Sequence, residues 1–243
     1  MKLPSRIVDL SSPLENETVY DPPFMRPQIK YVSNAETAPL LAELFPGLRV
    51  EDLPDGEGWA IEQIALTTHN GTHMDAPIHF QSKTIDGKPM MTIDQVPLDW
   101  FFHPGVKLDF RKVPDGHVVT AAEVEAELKR IGHELKPFDI VLVNTRASIC
   151  IGTDEYLTAG CGMGREATLY LTSRGVRVTG IDAWGWDGPS RIPASAGSRR
   201  MILPSSGKGT RPGARFRIAT WRNCAIWNSF LITVSPWPAS LTR

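Results

Sequence analysis

The sequence predicts a single mixed α/β domain, a sheet or barrel with flanking helices, on three observations. Short apolar runs of strand character alternate with segments whose apolar residues recur at helical spacing. The run FDIVLVNT, residues 138 to 145, is apolar enough for a strand buried on both faces. A length of 243 residues with 42% hydrophobic and 22% charged residues suits one sizeable core spanning residues 1 to 243.

The elements follow in chain order. Arg6 to Leu10 reads as a strand, and Thr37 to Phe45 as a helix. Ile61 to Thr68 reads as a second strand, with Ile64, Leu66 and Thr68 on one face at period two. Val106 to Phe110 is a third. In TAAEVEAELKRIGHEL, Thr120 and Glu123 form a capping box, and Val124, Leu128 and Ile131 recur at helical spacing. After the strand at 138 to 145, Glu166 to Arg174 reads as a helix stopped by Gly175, and VRVTGID as the strand that follows. Trp100, Phe101, Phe102, Trp184 and Trp186 suit either an aromatic pocket wall or core.

Composition narrows the chemistry. The opening MKLPSRIVDLSS has no apolar run long enough for a signal peptide and no window approaches a membrane span, which predicts a cytoplasmic protein that does not engage a membrane. Cys150, Cys161 and Cys224 are odd in number, far apart and without a C-x-x-C pair, against a disulfide framework or a thiolate zinc site. A bound metal would therefore use His and carboxylate ligands. The net charge of −1 argues against a nucleic-acid partner.

Residues 69 to 79 read HNGTHMDAPIH, which gathers three of the six histidines and one aspartate into eleven positions. His69 and His73 are spaced for one helix face, but Asn70, Gly71 and Pro77 break that pattern, so a loop leaving the preceding strand fits better. Imidazole and carboxylate groups suit zinc, manganese or iron, and three such ligands leave positions open for water. His79 stands where it could carry protons just outside the ligands. The lone His103, His117 and His133 are expected at the surface.

The string HNGTHMDAPIHF resembles the H-x-G-T-H-x-D-x-P-x-H signature of the cyclase-like metal-dependent hydrolases, the family of bacterial kynurenine formamidase and isatin hydrolase. IVDLSSPLENETVYDPP resembles the family's opening, FDIVLVNT its central strand and GVRVTGIDAWGWD its later strand. The resemblance implies a swivelling β/β/α fold and a dimer or larger homo-oligomer. It implies His69, His73 and Asp75 as ligands of a divalent metal, zinc or manganese, with Asp75 able to bridge two ions, and His79 as proton donor and acceptor. The activity implied is hydrolysis of a small amide: arylformamidase first, opening of a cyclic amide such as isatin second. A catalytically silent metal-binding relic and a nucleic-acid-binding module resting on the basic C-terminal segment alone are the readings from other classes, the second opposed by the net charge of −1.

The C-terminus departs from that pattern. The family's second constellation, a histidine in a W-E-x-H-K-like stretch and a glutamate twelve residues later, has no counterpart, since the last histidine is His133 and the last glutamate Glu166. Residues 191 to 243 carry nine Arg and Lys and no acidic residue. At an acidic content of roughly one in eight, chance leaves such a stretch empty only about once in a thousand times. Reading one base earlier permits MEKLRNLEFLPDYGF in place of Trp221 to Ser235 and WEGHKAGRE over Ser206 to Arg215, both similar to the family's ending. The restored histidine straddles Gly209 and Thr210 and the restored glutamate Trp221 and Arg222. Residues from about 189 to 243 are therefore expected to be out-of-frame sequence, entered between about Asp187 and Arg191.

Overall fold

The computed structural model describes residues 8–16, 19–84 and 86–189, together with the backbone of 219–222. The expected out-of-frame segment therefore lies outside the described residues, apart from Pro189 and that short backbone stretch.

The chain enters through a two-stranded antiparallel ribbon, β1 (Gln28–Val32) and β2 (Ile61–Ala65), separated by helix α1 (Asn34–Leu44). Ser33 and Glu36 form a capping box at the start of α1, so the helix begins three residues before the predicted Thr37. The strand expected over 61 to 68 stops at Ala65 because the Asn70 side chain accepts from the Thr67 backbone N–H at 2.7 Å and closes a turn there. Arg6 and Ile7 lie outside the described residues. Val8 to Leu10 form no strand, and the Asp9 carboxylate accepts from Ser11 N–H at 2.8 Å, a local bond that competes with pairing.

A five-stranded sheet supplies the frame. It comprises β3 (His73–Asp75), β4 (Gly105–Asp109), β6 (Ile140–Asn144), β8 (Val178–Ile181) and β9 (Ala219–Arg222) in the order β3-β9-β8-β6-β4. The last four are mutually parallel and β3 is antiparallel to β9. No barrel closes among the described residues. The short parallel pair β5 (Val118–Val119) and β7 (Gly162–Met163) leads into helices α3 (Ala121–Ile131) and α4 (Arg165–Ser173), which serve as the crossovers of β-α-β units. The small helix α2 (Pro77–Phe80) follows β3.

Pattern explains these elements. Thr120 and Glu123 close the predicted capping box, and Gly132, in the left-handed conformation at φ 67°, ends α3. Val124 and Leu128 press from α3 into the main core with Leu108, Val141, Val143, Leu171 and Ile181. On the opposite face of β6, Leu142 is buried with Leu10 and Ile140, so the strand is covered on both sides as its apolar run predicts.

Candidate metal centre

Strand β2 runs into the turn Thr67–Gly71, β3 turns back along the sheet edge, and Pro77 opens α2, where its missing N–H costs nothing. This is the predicted loop leaving a strand, with the addition that His73 and Asp75 stand on a strand of their own. All four predicted site residues meet here. Nδ1 of His69 lies 2.7 Å and Nε2 of His73 3.4 Å from Oδ1 of Asp75, whose side chain is wholly buried. The His69 and His79 rings are 4.2 Å apart, and the His69 and His73 rings meet edge to face at 5.2 Å. Ligand atoms of His69, Asp75 and His79 lie within 4.8 Å of one another, and His79 is exposed.

The chemistry of these donors fits a divalent cation. The 2.7 Å approach of His69 to Asp75 qualifies as an ion pair by distance, yet Nδ1 of His69 and Nε2 of His73 are buried without a hydrogen-bond partner among the described residues. Two ring nitrogens thus converge on a carboxylate oxygen without the hydrogen bonds that buried polar atoms normally make. One tautomer is fixed by its partner. Nδ1 of His73 lies 2.8 Å from the Gly71 carbonyl, which can only accept, so Nδ1 carries the proton and Nε2 presents a lone pair.

Residues far away in sequence hold the loop. Asp21, 2% exposed, accepts from Asn70 Nδ2 at 2.9 Å, Gly71 N–H at 3.4 Å and Trp184 Nε1 at 3.3 Å. Asn70 Nδ2 also donates to the Met25 carbonyl. Asp21 was not among the predicted site residues, and no local spacing marks it.

Beyond β8 lies a second buried carboxylate. Asp182 accepts from Thr145 N–H at 2.9 Å, Thr145 Oγ1 at 2.8 Å and Asn144 Nδ2 at 2.5 Å, which ties the end of β8 to the end of β6. Burial pushes its pKa up to about 6, against the lowering effect of those donors.

The remaining aromatic and histidine expectations are redistributed. Trp186 is core and donates to Thr168 at 2.9 Å, Trp100 lies beside Phe138, and Phe102 is exposed, so the five aromatics do not form one pocket wall. Trp184 donates to Asp21, which in turn holds the histidine loop. His117 lies at the surface as expected, paired with Glu123 at 2.8 Å, while His103 is half-buried against Phe138 and His133 is largely covered beside the buried Asp139 at 2.9 Å.

Comparison with known proteins agrees with this architecture. The Cyclase family model matches residues 8–188. An uncharacterized protein of Haemophilus influenzae is 29% identical over 128 residues, which is 49% of this chain and 78% of that protein. Among solved structures, an isatin hydrolase bound to the product analogue thioisatinate superimposes with a TM-score of 0.63 at 19% identity, covering 93% of this chain and 82% of the other. A structure from Bacillus stearothermophilus named as a predicted metal-dependent hydrolase gives a TM-score of 0.53 at 17% identity, covering 91% and 83%. Likeness at these identities speaks for the fold.

Proposed function

Because the chain belongs to the Cyclase family, we propose that it is a metal-dependent hydrolase of a carbon–nitrogen bond in a small amide, with His69, His73 and Asp75 as the metal ligands. The observation that carries this reading is the convergence of the two orphaned ring nitrogens on the buried Asp75 oxygen. A divalent ion bound there would polarise the amide carbonyl and lower the pKa of water at neutral pH. Zinc and manganese both suit two imidazoles and a carboxylate.

The chain's own groups have distinct parts. Asp75, buried on β3, would supply the negative charge that holds a divalent cation with His69 and His73. His73, nearly buried, keeps its proton on Nδ1 and directs Nε2 inward. His79, exposed on α2 beside His69, would take a proton from the attacking water and return it to the departing amine. Its ligand atom also falls within the cluster, so it could complete the metal's shell in place of His73. Burial favours His73 as ligand and exposure favours His79 as proton carrier.

Arylformamidase action on an N-formylated aromatic amine such as N-formylkynurenine is the leading specific activity, in a cytoplasmic homodimer or larger oligomer. Opening of a cyclic amide is the second reading, favoured by the likeness to a structure named as an isatin hydrolase. Elemental analysis and assay against N-formylkynurenine and isatin test both. His79→Ala should retain metal and lose turnover, whereas Asp75→Ala should lose both. A wild-type chain that hydrolyses either substrate with no metal present ends the proposal.

The segment from about 189 onward belongs to this reading as a frame change. The β9 register sets Trp221 and Arg222 opposite Met74 and His73, so the glutamate restored across 221 and 222 would arrive on the strand beside the metal loop. Without it the chain keeps the first ligands, and its turnover should be weaker than that of the frame-restored chain. Sequencing the coding DNA across Asp187 to Arg191 tests this; an intact frame encoding the present tail overturns it.

A further inference from the structure

We propose that Asp21 is a positioning residue of the metal centre, setting the tautomer of His73 through Gly71 and adding a buried negative charge behind the ligand loop. The inference rests on the metal reading above but concerns a residue that no part of the signature HNGTHMDAPIH contains.

The path is continuous. Asp21 Oδ2 accepts from Asn70 Nδ2 and from the Gly71 N–H, two residues that stand between His69 and His73. Gly71, at φ 57°, adopts a left-handed conformation that is strained for other residues, and in that conformation its carbonyl accepts from Nδ1 of His73. Fixing Gly71 thus fixes which ring nitrogen of His73 has the lone pair. Asp21 is itself fixed by Trp184 Nε1, donated from the turn after β8. Three separate stretches of chain meet at one carboxylate.

The two carboxylate oxygens of Asp21 are matched to three donors, and its charge adds a part that hydrogen bonding alone does not require. A side chain only 2% exposed loses most of its hydration, and an ionised group so placed is costly unless donors compensate. Asn at this position has one acceptor oxygen and would turn its amide toward Asn70 Nδ2, the Gly71 N–H or Trp184 Nε1, all donors. A buried anion next to a loop that offers only one carboxylate to a dication improves the charge balance. Groups that orient ligands from behind typically change metal affinity by about 10- to 100-fold when mutated.

The test uses the full chain as wild type, Asp21→Asn and Trp184→Phe. Zinc affinity is measured by competition with a chromophoric chelator, the His73 tautomer by long-range 1H–15N NMR on metal-free protein, and unfolding by thermal melt. Asp21→Asn should weaken zinc by about 10- to 100-fold and convert His73 from Nδ1–H to a mixture of tautomers. Trp184→Phe, which leaves the charge but frees one anchor, should shift both readouts the same way by less. A variant that melts lower with zinc affinity and tautomer unchanged overturns the proposal, because Asp21 is then structural glue. Should Asp21→Asn fail to fold, unchanged readouts in Trp184→Phe overturn it equally. If wild type binds no zinc, the metal reading fails, and the tautomer comparison still decides the role of Asp21.

Discussion

Replacing Asp182 with Asn should change how stability depends on pH, by an amount that follows from its surroundings. The carboxyl is buried at the junction of β6 and β8, and its pKa rises from 3.8 to about 6. A folded pKa above the unfolded one means that the fold favours the neutral acid. The resulting stability is fully present below pH 3.8 and is lost as pH rises through about 6. At about 1.4 kcal/mol per pH unit, the two-unit gap corresponds to about 3 kcal/mol in total, of which about 2 kcal/mol falls between pH 4.5 and 8. The amide of the Asp182→Asn variant has no such dependence, although it still loses acceptors for Thr145 and Asn144. Urea unfolding of metal-free wild type and Asp182→Asn at the two pH values measures the effect. The wild type's advantage over the variant should shrink by about 2 kcal/mol from pH 4.5 to 8. Parallel pH curves for the two chains would refute the reasoning and mean that Asp182 is ionised throughout.

Other perturbations have equally definite outcomes. Gly160→Ala forces a Cβ to within 2.5 Å of Thr145 Oγ1 at φ +90°, so it should cost about 2 to 4 kcal/mol by urea denaturation. Thr120→Ala removes half of the α3 capping box and should cost about 1 kcal/mol, again by denaturation. Treatment with a chelator should lower the melting temperature of wild type and leave Asp75→Ala unmoved, since a ligand that binds only the folded state stabilises it. Equal responses of the two chains would count against Asp75 as a ligand.

The legible parts of the fold were those written locally. Thr120, Glu123 and Gly132 mark both ends of α3 because caps act within a turn, and the apolar stretch 140–144 announces a doubly covered strand. Likewise His69, His73, Asp75 and His79 stood out because they crowd eleven positions. What escaped notice depends on distant partners. Among the described residues β3 pairs with β9 from the far end of the chain, and β2 ends early because Asn70 caps a turn instead of extending the strand. Asp21 is isolated in sequence, with its loop partner 49 residues on, so no window could have flagged it. The aromatics failed as one pocket because Trp186 found a core partner in Thr168 while Trp184 reached back to Asp21.

The bond between Trp184 and Asp21 spans 163 residues, which has a bearing on biosynthesis. During translation the histidine loop leaves the ribosome long before Trp184 does, so its clamp closes only once most of the polypeptide has emerged. Contacts of such sequence separation form late because the intervening chain must first be ordered. On the proposal made for Asp21, a nascent chain would hold metal loosely at first, and tight retention would come as a finishing step of maturation.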